Sequence, residues 1–535
     1  MIHSNSENQL RISLFTTPFE QNLLLDNRWV ILSRVLPWDD MAKVYHRQMS
    51  SHSGRGSLPA RLVIGVLIIK HMLKLDDREV LATLQENVYL QYFVGFSSFQ
   101  TKLAFDPSLL VTIRKRMGVS SFDEWSQSVI SKIEQITLSQ NSNNANKKEN
   151  KKENKKEDKK KDFPASCTPK DAISIRGTAT TKADEVPAIA LRDTLIIDAT
   201  VAEQKIKYPT DLDLLNKVRL FTEHVIDKFH EVNRWTIKPR TYRNIAQKDY
   251  LNAALKRKKT GKEIRKAVKK QLAYILRNTN TINQLWDVLE KNSIAIPLTE
   301  VERKKWFVCQ EIHRQQQEMI TLNVKSCEHR IVSIEQPHVR PILRGKMAKS
   351  IEFGSKISLS VVNGTNRVFK ISWDNYNECA DLEGQVNAFK KQYGKYPELV
   401  LADKIYMNKA NRNFLKSLGI QHRGTPLGRK PKDKNGEVIP PYTPTQQKES
   451  NQRNHVEGQF GTAKDAYGLS KVKAKTALTS ESWIANIFFV LNVVKLLKVA
   501  RIAMLHNFCA VPKFFNFNAF CSINSFLQYK KFKIV

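Results

Sequence analysis

Three short apolar runs restrict what this chain can fold into more than any other feature. Residues 194–200 read TLIIDAT, a strand-type run that ends on an acid and a threonine. Residues 353–373 read FGSKISLSVVNGTNRVFKISW; Asn363-Gly364 at their centre marks a two-residue hairpin between two strands. The third run, ELVLADKIY, also ends on an acid. Helical sequence separates and follows these runs. CADLEGQVNAFKKQYG is stopped by Gly394 and Pro397, and NKANRNFLKSLG is stopped at Gly419. A short strand, IQHRG, comes next, then a Pro- and Lys-rich loop from Lys430 to Pro444, then the helical segment SNQRNHVEGQFGTAKDAYG. With the helical stretch 201–350 set aside, the order is strand, strand, strand, helix, strand, helix, strand, helix, so the fold class is α/β.

The first part of the chain has a different pattern. Residues 20–135 are helical throughout, and Pro59 opens a run (PARLVIGVLIIKHML) with apolar residues at helical spacing. Lys74-Leu75-Asp76-Asp77 breaks it, and Asp76 stands three residues before Glu79 in a capping-box pattern for the next helix. Two helices joined by a short polar turn are either a DNA-reading pair or a plain hairpin of a small bundle. Residues 1–138 thus form a helical N-terminal domain. Residues 139–190 follow as a flexible Lys-rich linker. Its four-residue repeat (KKEN, KKEN, KKED, KKKD) has no apolar residue from Lys147 to Asp162 to offset the entropy of ordering.

Charge narrows the partner. The 535 residues carry 87 Lys+Arg against 52 Asp+Glu, a formal net charge of +35, which calls for a polyanion. An anionic membrane is the second choice, and the apolar stretches weaken it. Residues 484–505 contain Asn486, Asn492, Lys495, Lys498 and Arg501, while residues 62–73 are too short to span and contain Lys70. The stretch 484–505 is expected to be a buried helix. The N-terminus shows no secretory pattern, and six scattered cysteines without a CxxC pair read as reduced thiols of a cytoplasmic protein. Cys309, His313, Cys327 and His329 match no common zinc spacing. Between Trp235 and Arg277 lie 14 Lys/Arg opposed only by Asp249 and Glu263. This density, with Trp235, Tyr242 and Tyr250 interleaved, suits a nucleic-acid face.

The acids fall where chemistry needs them. Asp198 ends the first strand, Asp403 ends the strand after the hairpin and helix, and Glu457 lies on a later helix. Each alone reads as a turn or cap residue. Together, three carboxylates converging from strand ends and a helix suit two hard divalent cations, one activating the attacking oxygen of a phosphodiester reaction and the other stabilising the leaving oxygen.

On these residues the chain resembles the DDE transposases of bacterial insertion sequences, of the insertion-sequence-five/four type. Their C-terminal motif is Tyr, two residues, Arg, three residues, Glu, six residues, Lys; here Arg453, Glu457 and Lys464 match the last three, and Ser450 stands at the Tyr position. LIIDAT and LVLADKIYMNKANRNFL resemble the family's two aspartate regions, and residues 61–117 its N-terminal domain. The resemblance implies a ribonuclease-H-like catalytic core over 191–505, with a helical basic insert at about 210–335 and a tail at 506–535. It implies Asp198, Asp403 and Glu457 as catalytic metal ligands, Mg²⁺ (or Mn²⁺) as a pair of ions, and Arg453 and Lys464 flanking on DNA. In the insert, Arg257, Lys258, Lys259, Arg265, Lys266 and Lys269 would grip the duplex. The expected partners are double-stranded DNA, as terminal inverted repeats and target, and a second copy of the chain on that DNA; the expected location is the bacterial nucleoid. The alternatives are a ribonuclease-H-like nuclease without strand transfer and an inactive DNA-binding derivative.

A few further residues stand near these motifs. Asp211 either approaches DNA or caps the helix LDLLNKV. His422 and Arg423 either face the site or are structural. Trp373 reads as core, and residues 337–346 (PHVRPILRGK) as a basic DNA contact.

Overall fold

The computed structural model describes residues 22–49, 56–102, 104–157, 193–233, 237–343, 351–423 and 443–508. Trp235, residues 158–190 of the expected linker, most of the Lys430 to Pro444 loop, residues 344–346 of the expected basic contact and the tail from 509 lie outside the described residues.

Among the described residues seven helices come first: α1 (Arg28–Val35), α2 (Trp38–Arg47), α3 (Ala60–Met72), α4 (Glu79–Glu86), α5 (Val88–Val94), α6 (Leu109–Arg116) and α7 (Val119–Glu157). Every residue of α3 from Ala60 to His71 is buried, as a helix apolar on all sides must be. Gly65 lets α5 approach, since a Cβ there would stand 2.9 Å from Val94 Cγ1. The expected capping box is present. Asp76 Oδ1 accepts from the Glu79 amide at 2.9 Å, and Glu79 Oε2 accepts from the Asp76 amide at 2.7 Å. The expected linker, by contrast, is helical as far as Glu157, as a continuation of α7. Its Lys, Glu and Asn residues tolerate a helix, and no Gly or Pro interrupts them.

The sheet follows as β1 (Thr194–Glu203), β2 (Arg340–Leu343), β3 (Ile351–Val362), β4 (Thr365–Ser372), β5 (Leu399–Ala402) and β6 (Gln421–His422). β1 pairs antiparallel with β3 and parallel with β5, β5 pairs parallel with β6, and both β2 and β4 pair antiparallel with β3. Asn363 (φ 52°) and Gly364 (φ 75°) make the expected tight turn between β3 and β4. At Gly354 the backbones of β3 and β1 come so close that a Cβ would strike the Ala202 carbonyl, so glycine is required there.

Between β1 and β2 stand α8 (Asp211–Asn233), α9 (Arg243–Leu255), α10 (Gly261–Lys291) and α11 (Glu300–Thr321), the expected helical insert. It has its own core, with Leu215, Val218, Ile275 and Ile312 buried together at one end and Ile226, Phe229, Leu285 and Trp306 at the other. The remaining helices are α12 (Asp381–Tyr393), α13 (Lys409–Ser417), α14 (Pro444–Asn451), α15 (Asn454–Asp465) and α16 (Ala477–Phe508).

Alternation along the strands divides the sheet's two faces. Leu195, Ile197, Val400 and Ala402 pack on α12 and α13, whereas Ile196, Leu399, Leu401 and Leu359 pack on α15 and α16. The apolar run 484–505 is the buried helix α16, and it serves two cores at once. Ile484, Ile487 and Phe488 belong to the sheet's core; Phe489, Val493 and Leu496 belong to the N-terminal bundle's. Among the described residues no helix is long and apolar enough to cross a membrane.

One ion cluster fastens the bundle to α16. Asp77 takes Lys70 at 2.8 Å and Arg114 through two bonds of 2.8 and 2.6 Å, and both cations lie over the Trp483 ring at 4.3 and 5.5 Å. Burial opposes ionisation of Asp77, but Arg114 and Lys70 outweigh it and hold its carboxyl at about 2. That contribution is complete above the ordinary carboxylate range and fades as pH falls through about 2. Lys70 is only 1% exposed. Asp77→Asn strands two buried cations and is expected to destabilise the chain by about 3–5 kcal/mol, read as an earlier denaturant midpoint of the tryptophan signal. A loss under about 1 kcal/mol contradicts this account.

Candidate active site

Strand period sets the geometry of the acids. Asp198 follows Ile196 by two residues and Asp403 follows Leu401 by two, so both side chains leave the sheet on the face that packs α15. The parallel register pairs Ile196 with Leu401 and Ile197 with Ala402. One step further along, Asp198 stands beside Asp403, which directly follows β5; β1 itself does not end at Asp198 as expected but runs on to Glu203, paired with β3.

Asp198 is partly buried, and its Oδ1 accepts from the Ala199 amide at 2.8 Å. Burial, then the charges of Asp403 and Glu378, push its carboxyl up to about 6, against the pull of the Ala199 amide and Arg453. Asp403 caps the 3-10 turn Lys404–Tyr406 through a 2.7 Å bond from the Lys404 amide. It is both the cap that a lone strand-end aspartate suggests and a charge facing Asp198.

Arg453 links the acids. Its Nη1 lies 3.9 Å from Asp403 Oδ1 and its Nη2 lies 3.2 Å from Glu457 Oε1. It also acts electrostatically on Asp198, so one guanidinium serves all three carboxylates. The segment expected to be one helix is two: α14 ends at Asn451 and α15 starts at Asn454, with Arg453 as the residue before its first turn. Gln452 and Arg453 keep near-helical angles, so the four-residue spacing to Glu457 still makes contact. Lys464 lies in the last turn of α15, about 10 Å of helix rise beyond Glu457, so it stands apart from the acids.

Among the described residues no three His, Cys, Asp or Glu side chains stand close enough to hold a metal ion. The donor set nevertheless has the right chemistry. It is all carboxylate oxygen; burial and, after it, the charges of Asp403 and Glu378 raise Asp198, and a hard dication relieves both the cost of the buried charge and that repulsion. Glu457 is drawn toward Arg453, and gathering the three acids requires that contact to loosen.

Sequence reasoning missed Glu378 and Lys356. Glu378 sits in a 3-10 turn (Glu378–Ala380), acts on Asp198, and is held by Lys356 Nζ at 2.7 Å from Oε2. No local motif points to it; only the packing of β3 against that turn brings it near. Other sequence candidates have structural partners. Asp211 binds Arg330 at 2.5 Å and Gln316 at 2.8 Å, so it ties α8 to α11. Arg423 bonds Glu449 at 2.8 Å, and Trp373 donates to Glu481 at 2.7 Å while meeting the His338 ring edge-on. Burial lowers the pKa of His422.

In the insert, Arg257, Lys258 and Lys259 lie exposed in the turn between α9 and α10, and Lys259 Nζ donates to the Ala254 carbonyl at 2.8 Å. Lys266 and Lys269 are exposed on α10. Arg265 instead turns inward to bond the Ile320 carbonyl at 2.7 Å and the Asn323 side chain, closing α10 onto α11. Tyr250 is committed to Asp213 at 2.8 Å.

Two stretches of the chain match family models. Residues 400–494, which contain Asp403, Glu457 and Lys464, match a Transposase DDE domain. Residues 18–116, which contain α1 to α6, match a Transposase domain (DUF772). A curated protein of Rhizobium meliloti, "Uncharacterized protein ORF8 in nfe locus", is 35% identical over 98 residues, which is 18% of this chain and 45% of that protein. The match thus spans less than half of that relative's length. No solved structure matches.

The raised Asp198 carboxyl makes a pH prediction. Below about pH 6 the group holds a proton in the metal-free chain, and that proton competes with a dication. Mn²⁺ affinity, followed by electron paramagnetic resonance of the free ion, is expected to fall about tenfold from pH 7.5 to pH 5. Affinity that stays constant across that range contradicts the placement of Asp198 among the ligands.

Proposed function

We propose that this chain, an insertion-sequence DDE transposase by its two domain matches, cuts DNA at the terminal inverted repeats of its element and joins the freed ends to target DNA. The match to a transposase DDE domain supports a DNA transposase and implies a ribonuclease-H-like core and use of divalent metal. The observation that carries the finer reading is that Asp198, within β1, stands beside Asp403, just past the end of the neighbouring parallel strand β5, while Arg453 ties Asp403 to Glu457.

In this reading the sheet is the ribonuclease-H-like core, and Asp198, Asp403 and Glu457 hold two Mg²⁺ (or Mn²⁺) ions. When bound, these ions supply activation of the attacking water or 3′-hydroxyl and neutralisation of charge at the phosphodiester. The chain's own residues do the positioning. β1, paired on both sides, fixes Asp198 within the sheet, β5 delivers Asp403 beside it, and α15 brings Glu457 over them. Arg453, once parted from Glu457, turns its planar fork to a non-bridging phosphate oxygen. Lys464 meets the strand farther along. Phosphoryl transfer depends mainly on such positioning and charge neutralisation, so a site of fixed acids and two cations suffices.

The N-terminal helices take the inverted repeat, with the α3–α4 turn as the candidate reading element. The exposed Arg257, Lys258, Lys259, Lys266 and Lys269 of the insert take flanking or target DNA. Two element ends have to be joined, so a homodimer on DNA is expected from symmetry.

The test incubates purified chain and its Asp403→Asn variant with DNA carrying the inverted repeats and Mg²⁺. Asp403→Asn is expected to keep DNA binding and lose cutting and joining by at least about a hundredfold. Normal cutting by the variant overturns the site assignment. Cutting without joining by the unaltered chain replaces transposition by a nuclease reading.

A further inference from the structure

The entry into α9 has an uncommon construction. Tyr242 adopts φ 51°, a left-handed backbone that a bulky residue rarely takes. Its ring carries two guanidiniums, those of Arg240 and Arg277, each 4.5 Å from the ring centroid. By that geometry the two cations stand within about 9 Å of each other.

Neither has a carboxylate partner among the described residues, although acids are at hand. Asp227 is taken by Lys238 at 2.6 Å and Arg243 at 2.7 Å. Asp249 is taken by Lys270 at 2.9 Å and Tyr274 at 3.0 Å. Both Arg240 and Arg277 are exposed. The chain therefore holds two like charges together on an aromatic ring, with the neighbouring acids spent on other cations. Such a pair repels itself until an anion lies between or across it.

The pair also ends a line of charge. Lys262, Lys266, Lys269 and Arg277 succeed one another on α10 at spacings that keep one helix face, over about 22 Å of rise. All four are exposed. Along the duplex axis each strand presents a phosphate about every 3.4 Å, so the line is as long as some six or seven base pairs. Tyr242 is committed to two cations, so it does not serve as a stacking surface for a base, and the ligand class is phosphate rather than base.

We propose that Arg240 and Arg277, preorganised on Tyr242, form a phosphate clamp for the backbone of duplex DNA at the far end of the α10 basic line. This rests on the transposase reading and adds a contact made by residues other than the carboxylates and Arg453. The planar fork of each guanidinium suits two phosphate oxygens, and the ring removes much of the rotamer freedom that binding would otherwise have to freeze. The clamp reads no sequence and fixes register.

The experiment measures binding of the full chain to a labelled 40-base-pair duplex by fluorescence anisotropy from 50 to 300 mM salt. The plot of log affinity against log salt for Arg240→Gln/Arg277→Gln is expected to be shallower than that of the unaltered chain by about 1.8, two phosphates at 0.9 each. Arg240→Lys/Arg277→Lys keeps the charges and is expected to retain most of the slope. If the double Gln variant fails to fold by circular dichroism, the single variants each report a change of about 0.9. An unchanged slope in folded Gln variants overturns the clamp and leaves the transposase reading standing. Failure of the unaltered chain to bind duplex DNA overturns both.

Discussion

Burial of α16 between two cores is the constraint from which the rest of this structure follows. A helix this apolar has to be covered on all sides. One side is covered by the sheet and α15, the other by the N-terminal bundle. Its few polar residues sit where backbone groups need partners. Asn492 exchanges two 2.8 Å bonds with the Asn366 backbone on β4, and Asn486 donates to the Leu67 carbonyl of α3 at 3.3 Å. Trp483 belongs to the sheet's core, yet its ring faces Lys70, Arg114 and the edge of His71. The bundle and the sheet are therefore joined through one helix that neither can leave exposed.

The same packing aims the candidate catalytic helix. Val456, Phe460 and Ala463 of α15 lie in the core with Ile484 and Phe488 of α16, which leaves Glu457 on the adjacent, exposed flank. The segment after α15 is stitched to the end of β1, where the Val472 amide donates to the Glu203 carbonyl at 2.8 Å. From the bundle, Lys74 Nζ donates to the Asp465 carbonyl at 2.8 Å and caps the negative end of α15. The bundle thus touches the element that carries Glu457.

Much of this was legible in the sequence because it depends on local chemistry. Strand alternation, the Asn363-Gly364 turn, the Gly394 and Gly419 stops and the Asp76–Glu79 cap are decided within a few residues. What was not legible depends on distant partners. Arg265 reads as one of several insert cations until Ile320 and Asn323 claim it. Glu378 has no motif and matters only because β3 lies beside it. The Lys-rich repeat lacks apolar residues, which argues against a core but not against a helix, and α7 runs on through its first part. The break at Gln452–Arg453 has no Gly or Pro to announce it.

The most direct measurement of the central claim is the anomalous diffraction of Mn²⁺ in crystals of the chain with a cleavage-site duplex. The account predicts manganese between Asp198 and Asp403, with Glu457 turned from Arg453 toward the metal and Arg453 on a phosphate. Manganese bound only elsewhere, with Arg453 still bridging Asp403 and Glu457 beside the DNA, would contradict it.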